Sequence, residues 1–162
     1  MLHRFLVFAH VLSAFLYMLA HGGSAAVAYR VRRETSAERV RALLDLSRST
    51  RGVANYMFLS TAVWGVVLGF LGHWWSARWI WLSIVILVIV LASMGRVAAP
   101  YFRRIRDAVG SVFADGAGQR TAGEPSADEL ARALESGNAT AITALAIGGW
   151  AVILWLMLFK PF

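Results

Sequence analysis

The sequence predicts an all-α membrane protein, a bundle of four transmembrane helices with both termini on the outer side. The first observation is composition: of 162 residues, 59% are hydrophobic and 15% charged, where a soluble domain carries about a quarter charged. The second is four apolar stretches, at about 4–29, 53–73, 79–99 and 139–159, each long enough for the roughly 20 helical residues that a bilayer requires. The third is the lack of the strict alternation that marks a barrel strand. The length suits one domain over residues 1–162. With no Cys, disulfide scaffolds, thiolate metal sites, iron–sulfur clusters and Cys nucleophiles are excluded.

The first span, from Arg4 to Tyr29, is long enough to tilt. Arg4, the apolar run and Ala26-Val27-Ala28 outline a signal peptide. The length of the run and the Arg cluster behind it favour a retained span instead. The second span carries Asn55, Tyr56, Ser60, Thr61 and the small-xxx-small pair Gly65 and Gly69. Such a pair lets helix backbones approach closely. The third is nearly unbroken Ile, Leu and Val from Ile80 to Ala92, and Pro100 predicts its end. The fourth, with Gly148 and Gly149, closes the chain.

Basic residues set the orientation. Seven Arg lie between the first two spans and six from Arg96, at the end of the third, to the fourth, against only Arg4, Arg78 and Lys160 elsewhere. Both long loops are therefore expected in the cytoplasm of a bacterial cell, the protein being multi-pass in the inner membrane. Trp74, Trp75, Trp79 and Trp81 then fall at the outer interface, where indoles prefer to sit.

Each cytoplasmic loop is predicted to hold a short amphipathic helix. Thr35-Ser36-Ala37-Glu38 and Ser126-Ala127-Asp128-Glu129 are capping boxes, and Gly137 is the expected stop of the second helix. The Gly-, Ala-, Asp- and Ser-rich stretch at about 108–125 predicts a flexible linker. The basic residues, chiefly Arg30, Arg32, Arg33, Arg103, Arg104 and Arg106, suit anionic lipid headgroups. Nucleic acid is not expected, because the aromatics lie in the spans or at the outer interface rather than on the basic face.

All nine carboxylates fall in the loops, which removes a membrane acid pair or proton relay. The Asn138-Ala139-Thr140 sequon faces the cytoplasm and carries no weight. The histidines remain. His3, His10 and His21 fall within about 20° of one line at 100° per residue. They share a polar, small stripe with Val7, Ala14, Tyr17, Ser24 and Ala28 that should face the bundle. One reading has each imidazole hydrogen-bonding a facing Ser, Thr, Tyr or carbonyl. The other has His10 or His21 as a ligand of haem b or a metal ion.

The segment His10-Val11-Leu12-Ser13-Ala14, then His21-Gly22-Gly23 and an Arg-rich turn, resembles bacterial predicted integral membrane proteins of the domain-of-unknown-function 2269 type. The resemblance extends through Ala99-Pro100-Tyr101-Phe102-Arg103-Arg104 to the closing Trp155–Phe162. It implies no activity. The first helix is more distantly similar to the copper-resistance D membrane domain and to the haem-containing protoporphyrinogen oxidase of HemJ type. The latter resemblance implies an early His, which His10 could match, and a membrane Lys, for which nothing precedes Lys160. The expected function is an accessory or structural membrane component, leaning away from an enzyme, that packs as a homodimer or in a larger membrane complex. A His-ligated redox protein is the alternative, and a small transporter a weaker one.

Overall fold

The computed structural model describes residues 1–34, 36–110, 113–115, 118–120, 126–136 and 139–161. In chain order they form α1 (Leu2–Val31), α2 (Ala37–Leu71), a short 3₁₀ turn (Trp74–Ser76), α3 (Arg78–Ser93) and a π turn (Met94–Ala98). Then come α4 (Ala99–Ala108), strands β1 (Phe113–Asp115) and β2 (Gly118–Arg120), α5 (Ala127–Glu135) and α6 (Ala139–Phe159). Four helical stretches are long and apolar enough to cross a membrane: Leu2–Val31, Ala37–Leu71, Arg78–Ala108 and Thr140–Phe159. Helix α1 packs along α2, α3 along α6 and α4 against α5, while α1 also meets α6.

Two boundaries differ from the sequence expectation. The first loop holds no separate helix. Ser36 caps α2, its hydroxyl accepting from the Arg39 N–H, and the helix then runs unbroken for 35 residues. That is about 52 Å at 1.5 Å per residue, well beyond a hydrocarbon core of about 30 Å. Backbone hydrogen bonding does not stop where hydropathy falls, and Gly52 has open space around it, so nothing breaks the helix there.

Pro100 does not end the third stretch either. Proline lacks an N–H and its ring clashes with the carbonyl four residues back. Here the π turn precedes it, with the Ala99 N–H reaching the Met94 carbonyl. The wider turn lets Pro100 sit in the first turn of α4, where a missing N–H costs nothing. Helix α4 closes at Gly110, whose φ of 65° is the left-handed conformation that glycine adopts freely.

The expected linker lies partly outside the described residues, as do Thr35, Gly137 and Asn138 of the expected caps and sequon. Within it, β1 and β2 pair antiparallel, Phe113 opposite Arg120. Downstream, the Ser126 hydroxyl accepts from the Glu129 N–H at the start of α5.

Two clusters of buried apolar side chains lie at the two ends of the molecule, with isolated buried residues such as Ser13, Ala54, Val90 and Ala146 between them. At one end Val27 and Val31 of α1, Val40 and Leu44 of α2, Tyr101 and Ile105 of α4, and Leu130 and Ala133 of α5 form one cluster. Arg41 ties it together by donating from Nη2 to the Val109 carbonyl. At the other end Trp79, Ile80 and Leu156 pack with Trp74 and Trp75. The His3 ring meets Trp74 edge-on at 6.3 Å, and Lys160 Nζ lies 4.3 Å from the Trp74 ring centroid. Both chain termini and the α2–α3 turn therefore share this end. Between the ends, Phe15, Leu19, Leu59, Val63 and Val88 face outward, as lipid-facing side chains would.

Candidate functional site

The polar stripe of α1 is the feature with most chemistry, and α2 determines what it does. Serine and threonine are scarce in apolar helices and face a partner when present. Ser13 donates to the Ala9 carbonyl at 2.7 Å and lies 2.9 Å from the Ser60 hydroxyl. Ser24 lies 3.1 Å from the Thr50 hydroxyl. His10 completes the seam, its Nδ1 standing 2.9 Å from the Thr61 carbonyl oxygen. A carbonyl only accepts, so Nδ1 carries the proton, and a neutral ring then leaves Nε2 as an acceptor.

Gly65 explains why the ring fits. A Cβ there would stand 3.1 Å from His10 Cε1 and 3.4 Å from Nδ1. The missing side chain admits an imidazole rather than a facing backbone. Gly69 does not serve helix approach in the expected way. A Cβ on it would meet the Trp75 indole at 3.0 Å, so this glycine seats a ring from the short turn that follows α2. The small-xxx-small spacing is met, but each glycine accommodates an aromatic side chain. Gly72 similarly underlies the Trp74 ring. In the fourth stretch Gly149 faces Val90 of α3, whereas Gly148 has nothing nearby.

His21 is half-buried and separate from His10. Its ring stacks on Tyr17 at 5.7 Å with an interplanar angle of 16°. Tyr17 in turn packs against Phe58 of α2 and Trp150 of α6, the latter at 4.9 Å. This aromatic group is the mid-height contact between the α1–α2 pair and α6. His73 lies beyond the end of α2 at φ 53°, and His3 lies against Trp74. The fold thus places His3 and His73 at the indole end and His10 and His21 further along α1. Among the described residues no three His, Asp or Glu side chains come together as a metal site.

The arginines expected at lipid headgroups fall around the buried cluster of α1, α2, α4 and α5. Arg30, Arg32 and Arg33 flank Val31, while Arg103, Arg104 and Arg106 interleave with Tyr101 and Ile105. All are exposed except Arg106. That half-buried side chain is within electrostatic reach of Arg48, Arg51, Asp45 and Asp107. Two clefts open beside α4. One, of about 410 Å³, is lined by Arg104 and Arg132 together with Asp107 and Glu129. The other, of about 250 Å³, has Arg96 and Arg104 on its wall with Tyr101 and Ile142.

Some of this escaped the sequence. The Ser and Thr residues of the seam carried a usable signal, namely polar groups at helical spacing inside apolar runs, but not their pairing. Lys160 also had one, as one of three cations expected on the same side as four clustered indoles. Arg41 had none, because its acceptor is a backbone carbonyl 68 residues away. The chain matches no known family model, no curated protein and no solved structure.

Proposed function

We propose that this chain is an accessory or structural component of a bacterial inner membrane, inserted as four spans with both termini outside and its arginine-rich end in the cytoplasm. The observation that carries the reading is the polarity of the molecule. Indoles and both termini occupy one end, and the arginines ring the buried cluster at the other. Positive charge is retained on the cytoplasmic side during insertion, and indoles favour the headgroup boundary. The polar stripe supports a packing role, since its His10 and Ser24, together with the neighbouring Ser13, meet groups on α2. Assembly as a homodimer or within a larger membrane complex belongs to the same proposal, as do the similarity to the domain-of-unknown-function 2269 proteins and the contact with anionic lipid.

The orientation is tested with single cysteines at Arg33 and Ser76, both exposed, in intact cells treated with an impermeant maleimide. Ser76→Cys should label and Arg33→Cys should not. Labelling of Arg33→Cys alone would reverse the orientation.

One observation favours a second reading, haem b or metal binding at His10. A ligating histidine usually spends its other ring N–H on a carbonyl or carboxylate, as His10 does with Thr61. His10 Nε2 would be the ligand atom, and a bound haem would supply one-electron redox chemistry. The fit is poor: His21, the other candidate, is engaged with Tyr17, and the His10 ring is wedged against Gly65. The absorption spectrum of protein purified from haem-replete cells separates the readings. A Soret band lost in His10→Ala would establish the second, and a colourless preparation supports packing.

A further inference from the structure

We infer that the smaller cleft, lined by the π turn, α4, Ser136 after α5 and Ile142 of α6, binds the phosphate of an anionic membrane lipid. The inference rests on the membrane reading above but not on the direction of insertion.

Charge is the first reason. Arg96 and Arg104 line this cleft and no carboxylate does. The adjoining larger cleft, which shares Arg104, balances its arginines with Asp107 and Glu129. An anion is therefore drawn to the smaller of the two. Neither Arg96 nor Arg104 has an ion-pair partner among the described residues.

Backbone geometry is the second. Arg96 lies within the π turn, and such turns are uncommon and cluster at functional positions. Eight residues separate Arg96 from Arg104, which in a regular helix leaves them about 80° apart. The π turn winds less per residue and closes part of that gap, bringing both guanidinium groups to one cleft.

The remaining walls fit a lipid better than a free ion. Val97 and Ile142 give the cleft apolar surface at the ends of the two apolar stretches α3 and α6. An acyl chain could leave along that surface while its phosphate stays with the arginines. Tyr101 is also in the wall, and its hydroxyl is buried with no hydrogen-bond partner among the described residues. A phosphate oxygen would supply the acceptor it lacks. Ser136 borders the cleft but donates its proton to the Ala133 carbonyl at 2.8 Å, so it offers no donor. The volume of about 250 Å³ suits a headgroup, not a whole lipid.

The test is thermal stability of the full chain in dodecyl maltoside, titrated separately with dihexanoyl phosphatidylglycerol, dihexanoyl phosphatidylcholine and inorganic phosphate. The glycerol lipid should raise the melting temperature saturably, with the choline lipid inert and inorganic phosphate effective only at about tenfold higher concentration or more. The double variant Arg96→Gln/Arg104→Gln should raise the half-effect concentration of the glycerol lipid at least about tenfold, because charge-assisted bonds to phosphate are the strong ones. Tyr101→Phe, which keeps the ring, should weaken it less, and Arg39→Gln/Arg48→Gln, which removes the same charge from exposed positions outside the cleft, should leave it unchanged. Equal potency of the choline lipid or of inorganic phosphate overturns the lipid assignment. An unaltered titration in Arg96→Gln/Arg104→Gln overturns the site. Because the protein is in detergent, reversed insertion in cells would not affect either result.

Discussion

Replacing Gly65 tests the α1–α2 seam most directly, because two known quantities oppose each other there. In a helix interior Ala is favoured over Gly by about 1 kcal/mol. At Gly52, where a Cβ would meet nothing within 4 Å, Ala should gain most of that. At Gly65 the new methyl would stand 3.1 Å from His10 Cε1, closer than van der Waals contact. His10 can yield only by stretching its 2.9 Å bond to the Thr61 carbonyl. Overpacking of this kind costs about 1–3 kcal/mol, so Gly65→Ala should be neutral to destabilising and Gly65→Leu clearly destabilising. The assay is thermal unfolding in detergent followed by far-ultraviolet circular dichroism. For a chain of this size each kcal/mol shifts the midpoint by about 2–4 °C. Gly52→Ala should therefore melt above wild type and Gly65→Leu several degrees below it. Adding His10→Ala to Gly65→Ala should recover the loss, since the obstructing ring is gone. If Gly65→Leu melts with wild type, or the double variant shows no coupling, the His10 ring does not lie over Gly65.

The remaining predictions use the same measurement. Gly149→Leu should destabilise strongly, because its side chain would enter the space of the buried Val90, whereas Gly148→Leu, with nothing nearby, should change little; similar midpoints would misplace the α3–α6 contact. Ile105→Ala should cost about 2–5 kcal/mol, because Ile105 is fully buried among side chains from α1, α2, α4 and α5. A shift within the noise would mean that the cluster does not form.

The spans were legible because bilayer thickness and helical rise are constants, and runs such as Ile80–Ala92 leave little choice. The start of α2 was legible to within one residue, from the capping pattern that begins at Thr35, beside the observed cap Ser36, and for an equally local reason, a hydroxyl positioned to accept from a first-turn N–H. The continuity of α2 was not, because hydropathy marks where a helix leaves lipid rather than where its hydrogen bonds end. Pro100 misled for a related reason: its effect depends on the π turn before it, and no residue type announces a π turn. In the candidate site, the periodicity of His3, His10 and His21 singled out one face of α1, of which His10 and Ser24 meet α2 while His3 and Val7 stand exposed. What His10 would meet depended on interhelical register, which follows from many contacts at once. Gly65 and Gly69 illustrate the same limit. The four-residue spacing shows that space is needed on one face, but not whether a backbone, an imidazole or an indole fills it.

The distribution of buried side chains also says where stability resides. Within lipid, helices gain little from apolar burial, since the solvent is as apolar as the side chains, and interhelical hydrogen bonds there average only about 0.6 kcal/mol. The seam of His10, Ser13 and Ser24 therefore fixes register more than it supplies energy. The cluster of Val31, Val40, Leu44, Tyr101, Ile105 and Leu130 is different if it lies outside the hydrocarbon. There water drives burial at roughly 25 cal/mol per Å² of apolar surface. These side chains come from four helices, including the short α5 and the part of α2 that outruns a bilayer. The arginine-rich end is thus expected to hold the two helix pairs together, while the middle of the molecule, where α1 meets α6 through Tyr17 and Trp150, contributes alignment. This asymmetry also accounts for the length of α2: shortened to the span that the bilayer requires, it would lose Val40 and Leu44, and with them one wall of the cluster.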